Sequence, residues 1–510
     1  MDVTTDRSVD CHSLKSIVAG VCRSGMTAQA KAVALFQFAR RLMFHYPNRA
    51  DPAAVHDTLR LLNTYGYAFC SQQALLTVHL WQAAGIRGYV WSVPGHSTAQ
   101  AEYGGGHHWF DPLIGAYVYR RDGRTIASLQ DIAADAAVLT QAVRERRGGA
   151  GMVPCRTALR DDPARFSRHN PRYIRECAEL VDDVGFMAAL APEAGEWKWG
   201  EPPRSRYRPG WTLRRGERVV FLWDCLPDQA NCMVLKPTDR PRAYFVTPAD
   251  LPPFHFCGAQ AERRDVNWRF FSPYVKTIQG VRTGRYAANG RHVYRPDLAC
   301  PAAGGDLEVN TFRAGSAGAA GPALRVARRG RPSRLVFRMH TPHVYTGGTL
   351  SARFRRGAAG DVSRIFVRCG RQERWVKVWD AGRAAPGKLR AQVELKDHVR
   401  GARDVWFRLD CATRGDTGRA GLDAVEVRAV FQHNMFARPY LVAGRNRVTV
   451  RAGKRELSKA GPLKVIYTWK QGRARRRHVR EVAASPTTYT INVGGRDMPR
   501  MLSLELAAAP

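Results

Sequence analysis

Apolar residues fall mainly at helical spacing over the first 200 positions and alternate with polar ones after about position 205. In "TAQAKAVALFQFARRLMFHY", Thr27 is a fitting N-cap. Ala32, Leu35, Phe36, Ala39, Leu42 and Met43 then share one face, and Pro47 ends the run. A second helix is expected over about 53–62. A third starts at Cys70 in "YGYAFCSQQALLTVHLWQAAGI", with Leu75, Val78, Trp81 and Ala84 periodic and Gly85 as the stop. Strand-like runs follow: "GYVWSV", "HSTAQAEY" and "HHWFD", the last two separated by Gly104–Gly106, a hairpin signal. "ASLQDIAADAAVLTQAVRERR" and "NPRYIRECAELVDDVGFMAAL" read as further helices, and Pro202 and Pro203 mark a boundary.

Beyond it, "GWTLRRGERVVFLWD", "SRLVFRM", "TLSARFRR", "SRIFVRCG", "RWVKVWD", "AQVELKDHV", "DVWFRLD" and "AVEVRAVF" are short alternating runs separated by turn residues. "NRVTVRAG", "LKVIYTWK" and "TTYTINV" carry the pattern to the end. Residues 251–300 have few regular signals. The expected fold class is α+β: a mixed domain over 1–200, an irregular or β connecting region over 201–304, a β-sandwich over 305–435 and a β-rich region over 436–510. A length of 510 residues agrees with several domains.

Composition sharpens this picture at two points. The net charge of +36 is uneven: residues 1–200 carry 22 Lys+Arg against 19 Asp+Glu, and residues 201–510 carry 58 against 25. The later part therefore suits an anionic partner such as an acidic polysaccharide or another polyanion. Nucleic acid ranks below these, because no reading motif accompanies the charge. The 11 cysteines include no C-x-x-C pair, which argues against a zinc ribbon or a thioredoxin-type site, and Cys225 with Cys232 is one conceivable bridge. No apolar run approaches a membrane span, and the acidic start lacks a signal-peptide core.

The candidate chemistry gathers around Cys70. A thiol at a helix N-terminus meets partial positive charge that favours the thiolate, although a lone Cys is more often a core residue. A nucleophile also needs a base and a group to orient that base. His96 lies eight residues before the Gly turn and Asp111 five after it, so a hairpin brings them near the same end with a small stagger. His107 and His108 read as cross-strand or surface residues. His108 is three residues from Asp111 on one strand and so faces the other way, and no third metal ligand stands nearby.

A Cys opening a helix, a His on a strand about 25 residues later and an Asp on the next strand resemble the transglutaminase-like superfamily, which shares a papain-like core. The resemblance covers about residues 25–135, including "YGYAFCSQQA", "AAGIRGYVWSVPGHS" and "HHWFDPLIGAYVYRRDG". The paired histidines, where many members carry a Trp, depart from the family pattern. The resemblance implies Cys70 as nucleophile, His96 as general base and acid, and Asp111 as the orienting carboxylate, with no metal or cofactor required. Tyr65, Tyr67 and the Gln72 side chain are candidate oxyanion donors beside the Cys70 N–H. The expected activity is acyl transfer or hydrolysis at amide or peptide bonds of a protein or peptide, with hydrolysis favoured over cross-linking. The alternative is a non-catalytic scaffold whose cationic β-domains hold acidic glycans or surface polymers.

The β-rich part resembles sandwich modules of bacterial carbohydrate-active and surface proteins, which suggests an extracytoplasmic setting. Trp375 and Trp379, four apart, are expected to share a strand face, as a platform or as core. "KQGRARRRHVRE" at 470–481 reads as a basic hairpin or strand edge.

Overall fold

The first helices form where the apolar spacing asks for them. Ser13 and Ser16 make a reciprocal cap for α1 (Leu14–Val21), and the Thr27 hydroxyl accepts from Ala30 N (3.2 Å) to start α2 (Ala28–Leu42). The computed structural model describes residues 1–45, 56–68, 70–93, 96–112, 117–139, 198–200, 207–223, 226, 232–233, 245–246, 276–278, 281–283, 288–298, 307–315, 321–370, 374–453, 457–458, 460–496 and 498–508. The helix expected over 170–190, the Pro202–Pro203 boundary and the Cys225 half of the suggested bridge lie outside them. Among the described cysteines, Cys11, Cys22, Cys70 and Cys411 are free thiols, and the Cys369 Sγ donates to His398 O (2.9 Å).

Strand β1 (Asp2–Thr5) precedes these helices, and β2 (Phe44–His45) follows them. The helix expected over 53–62 is a short α3 (Thr58–Arg60) that widens into a π-turn, Leu61–Tyr65, and stops at Gly66 with φ 70°. Strand β3 (Tyr67–Ala68) pairs in parallel with β2 and leads into α4 (Cys70–Ala83). Then come β4 (Arg87–Val93), β5 (His96–Tyr103), β6 (Gly106–Phe110), α5 (Leu129–Ala134) and β7 (Lys198–Trp199). Antiparallel pairing gives a sheet in the order β6-β5-β4-β7. Helix α4 lies across β4 and β5 beside α2. Trp81 fastens this layer: its indole N–H donates to Ala32 O (3.0 Å) and its ring lies 4.9 Å from Phe110.

The described remainder is mainly β: β8 (Glu217–Leu222), β9 (Cys232–Met233), β10 (Phe245–Val246), β11 (Lys276–Ile278), β12 (Val281–Thr283) and β13 (Ala288–Tyr294). Next are β14 (Leu307–Asn310), β15 (Arg313–Ala314), β16 (Leu324–Arg325), β17 (Ser333–His340), β18 (Val344–Arg356), β19 (Val362–Cys369), β20 (Val376–Asp380) and β21 (Gly387–Glu394). After α6 (Lys396–Val399) the chain ends with β22 (Asp404–Ala412), β23 (Gly421–His433), β24 (Gly444–Arg451), β25 (Leu463–Gln471), β26 (Ala474–Val482), β27 (Thr487–Val493) and β28 (Arg500–Ala507).

One ten-stranded sheet runs β15-β16-β23-β13-β8-β28-β25-β26, with β18 joined to β23 and β21 to β18. A five-stranded sheet, β14-β17-β22-β19-β20, and a three-stranded sheet, β1-β24-β27, contribute rings that meet those of the long sheet. Tyr294 lies 5.5 Å from Phe337, Phe354 stacks on Trp379 at 5.3 Å, and His478 stacks on Tyr489 at 5.5 Å. Two sandwiches thus share one sheet. The sheets cross the stretches marked out from sequence: β8 and β13, from the region expected to be connecting, are inner strands of the long sheet, and β1 pairs with β24. These partners are set by apolar rows far apart in sequence, which local alternation does not reveal.

Candidate active site around Cys70

The chain reaches Cys70 through a segment held from two sides. A π-turn spaces its hydrogen bonds one residue wider than an α-helix, leaving carbonyls to be met by other groups. Here Leu62 O accepts from Asn434 Nδ2 (2.7 Å), Asn63 O from Asn434 N (3.0 Å) and Thr64 O from Gln432 Nε2 (3.3 Å). Asn434 Nδ2 also donates to Leu42 O (3.0 Å), and the Arg438 guanidinium donates to Asn63 Oδ1. The C-terminal end of β23 therefore clamps the approach to Cys70 from about 370 positions away. Sequence carries no signal for this clamp, because Asn434 and Gln432 acquire their role only through tertiary contact.

Helix α4 is buried around nearly its whole circumference, with Gln72, Gln73, Thr77 and His79 enclosed as well as the apolar row. Three of these polar members show how the helix is fixed. Gln73 Nε2 donates to Ala68 O (2.8 Å) and fixes the strand before the helix. Thr77 Oγ1 donates to Gln73 O (2.9 Å), and His79 Nδ1 pairs with Thr58 Oγ1 (2.7 Å). Cys70 is the first residue of α4, a free thiol 7% exposed.

The hairpin beside it turns through Gly104 and Gly105, both with positive φ (59° and 78°), the backbone of a type I′ turn. Val93 pairs with His96 and Ala99 with Phe110; one further step sets Asp111 across from Thr98, two residues along β5 from His96. His96 and Asp111 are thus diagonal positions at one end of the sheet. Cys70 is level with that end. Helix α4 is 14 residues long, about 21 Å at the α-helical rise, and the seven residues of β4 running back beneath it span about 23 Å. The tight turn at Gly85 joins the far ends of the two elements.

The faces are equally defined. Phe110 turns toward the helices, within 5.2 Å of Phe36 and 4.9 Å of Trp81, so alternation sends Trp109 and Asp111 to the side that carries Gln100. Leu129 N, at the start of α5, donates to Gln100 Oε1 on that side (3.2 Å). Asp111 is sealed from solvent at 0% exposure. The His96 and Tyr67 side chains lie outside what the structure describes. Tyr65 is enclosed at the end of the π-turn, and Gln72 is buried in the first turn of α4.

The two histidines after the turn have structural surroundings. His108 stacks on Tyr103 (3.7 Å), with Nδ1 2.7 Å from Ile126 O and Nε2 3.0 Å from Tyr103 O, and His107 lies edge-on to Trp91. Among the described residues no group of three His, Cys, Asp or Glu side chains is placed to hold a metal ion.

On the β-rich part, the expectation that Trp375 and Trp379 share a face is overturned by a bulge. Ile365 pairs with Trp379 but Phe366 with Lys377, so one extra residue reverses the alternation. Trp379 stacks inward on Phe354. Trp375 faces outward, where Arg368 (4.8 Å) and Arg408 (5.0 Å) lie over it, and Arg368 also lies over Trp406 (5.1 Å). No helix among the described residues is long and apolar enough to cross a membrane. No family model and no curated protein matches this chain.

Proposed function

We propose that the chain is a thiol-dependent acyl-transfer enzyme whose N-terminal part has a transglutaminase-like, papain-like fold. The observation that carries this reading is the level placement of a buried thiol at the start of α4 with the sheet end that holds His96 and Asp111 diagonally. In the proposed reaction the Cys70 sulfur adds to an amide or peptide carbonyl, and His96, having taken the thiol proton, gives it to the leaving amine. Water then attacks the thioester, His96 accepts its proton, and the acid product leaves as the thiol is restored. A second amine in place of water would complete a cross-link instead, and hydrolysis is the favoured outcome. Asp111 orients the imidazole, and a carboxyl sealed from solvent calls for such a hydrogen-bonded partner.

The Cys70 N–H, at a helix start, is the first oxyanion donor, and the Gln72 amide or Tyr67 supplies the second. Tyr65, enclosed within the π-turn, is the weaker candidate. Because Asp111 leaves the hairpin on the face away from α4, the imidazole is expected to reach Cys70 around the rim of the sheet. The substrate proposed is a protein or peptide.

A panel of peptide amides, read by amine release, tests this. Cys70→Ser and His96→Ala are each expected to lower turnover about a thousandfold with the fold retained by circular dichroism. Turnover that survives Cys70→Ser would overturn the proposal. A second reading, a scaffold that holds an acidic glycan, is favoured by the outward Trp375 interleaved with Arg368 and Arg408. Binding of an acidic polysaccharide that is lost in Trp375→Ala would support it.

A further inference from the structure

The basic run at 470–481 folds as the hairpin β25–β26, and among the described residues β26 is the terminal strand of the ten-stranded sheet, paired only with β25. Lys470, Arg473, Arg475, Arg476, Arg477 and Arg480 are all exposed, against one exposed acid on the strand, Glu481. None of the six makes an ion pair among the described residues; Arg480 alone has a ring partner, Tyr489 at 5.7 Å. Some cations elsewhere in the β-rich part are matched, among them Arg355 with Asp423 (2.9 Å), Arg364 with Asp380 (2.9 Å) and Arg408 with Asp410 (3.3 Å). What distinguishes this edge is the clustering of exposed cations without ion pairs on one terminal hairpin, four of them on the single strand β26.

Two features of the edge narrow what it would bind. Arg475 and Arg477 share one face of the strand, about 7 Å apart, while Arg476 and Arg480 share the other, so the field surrounds the strand's rim instead of covering one face. Gln471 and Ala474 close the hairpin as a pair across a two-residue turn, and the alternation of antiparallel pairing then directs the backbone N–H and C=O of Arg475, Arg477, Val479 and Glu481 outward. A second copy of this edge is excluded as occupant, since cations would oppose cations; charged edge residues are a common guard against self-pairing.

We propose that β26 is a docking edge for an acidic extended peptide, which adds as a further strand and sets carboxylates against the arginines on both faces. A peptide fits better than a polysaccharide or nucleic acid because only a peptide meets the outward backbone groups as well as the charge. The proposal stands apart from the activity assigned to Cys70.

The test uses the full chain and a fluorescent ten-residue peptide of alternating Glu-Glu and Val-Val pairs, which carries carboxylates on both faces when extended, followed by anisotropy at low ionic strength. Binding is expected, weakening with salt and falling about tenfold or more in Arg475→Glu/Arg477→Glu. It should persist in Arg383→Glu/Arg414→Glu, which removes equal charge from surface loops. The same peptide N-methylated at alternate amides keeps its carboxylates and is expected to lose binding. Equal binding of the methylated peptide, stronger binding of a sulfated polysaccharide or an oligonucleotide, or no binding of the plain peptide would each overturn strand addition.

Discussion

Lowering the pH from 7.5 to 5 should destabilise this protein well before its carboxylates titrate, because three histidines are buried in the β-rich body. His433 is 0% exposed; burial lowers its affinity for a proton, the Arg438 charge lowers it further, and its pKa falls to about 3. His343 is lowered well below the ordinary value by burial and the same guanidinium, and its ring stacks on Phe431 at 5.2 Å. His292 is lowered by burial in spite of the Glu217 carboxylate 2.8 Å away. For a group whose folded pKa lies below its unfolded value of about 6.5, the unfolded chain binds the extra proton, so stability falls as pH drops below 6.5 and levels off only near the folded pKa. For His433 alone the loss at pH 5 is about 2 kcal/mol, and His343 acts in the same direction. The His433 loss alone is a substantial share of the roughly 5–15 kcal/mol that holds a typical domain. Urea unfolding at pH 7.5 and 5.0 measures it, and His433→Gln should shrink the difference between the two by about 2 kcal/mol. Equal stability at the two pH values, or an undiminished difference in the variant, would refute the reasoning.

Three other outcomes are expected. Asn434→Ala removes the amide that meets Leu42 O and Leu62 O, leaving two buried carbonyls without it, and should cost about 2–4 kcal/mol by urea unfolding while slowing Cys70 alkylation through the loosened π-turn. Gly88→Ala would place a β-carbon 2.9 Å from the Trp81 ring and 3.3 Å from Gln100 O, so a loss of about 1–3 kcal/mol is expected in the same measurement. Burial alone would raise the Glu217 carboxyl, but Arg214 and His292 outweigh it and bring it down to about 2. Its contribution is present above about pH 4.5 and lost as pH falls toward 2, so Glu217→Gln should flatten the acid limb of the stability curve while lowering stability at neutral pH.

Local features were legible in the sequence. Thr27 caps α2, Gly85 ends α4 with φ 78°, the Gly104–Gly105 turn joins β5 to β6, and the alternating runs become β17, β19 and β22. Each rests on neighbours within a few residues. What stayed hidden is long-range or irregular. The pairing of β1 with β24 joins positions some 440 residues apart, and the π-turn exists because Gln432 and Asn434 meet its carbonyls. The bulge that turns Trp375 outward has no composition signal, since the extra residue is fixed by the partner strand β19. At the candidate site the hairpin stagger of His96 and Asp111 followed from counting residues from the turn. The burial of nearly the whole α4 circumference did not, because the enclosure of Gln72, Gln73, Thr77 and His79 depends on tertiary contacts.

The rate at which iodoacetamide alkylates Cys70, followed by peptide mass spectrometry from pH 5.5 to 8.5, tests the central proposal most directly. A thiol paired with the His96 imidazole should react faster than Cys11, Cys369 and Cys411, with a rate that changes only about threefold between pH 6 and 8. In His96→Ala the rate should drop and fall about tenfold for each pH unit, as for an unassisted thiol. A Cys70 that reacts as slowly as the three buried thiols, with the same pH dependence in wild type and His96→Ala, would contradict the triad and leave Cys70 as a core residue of α4.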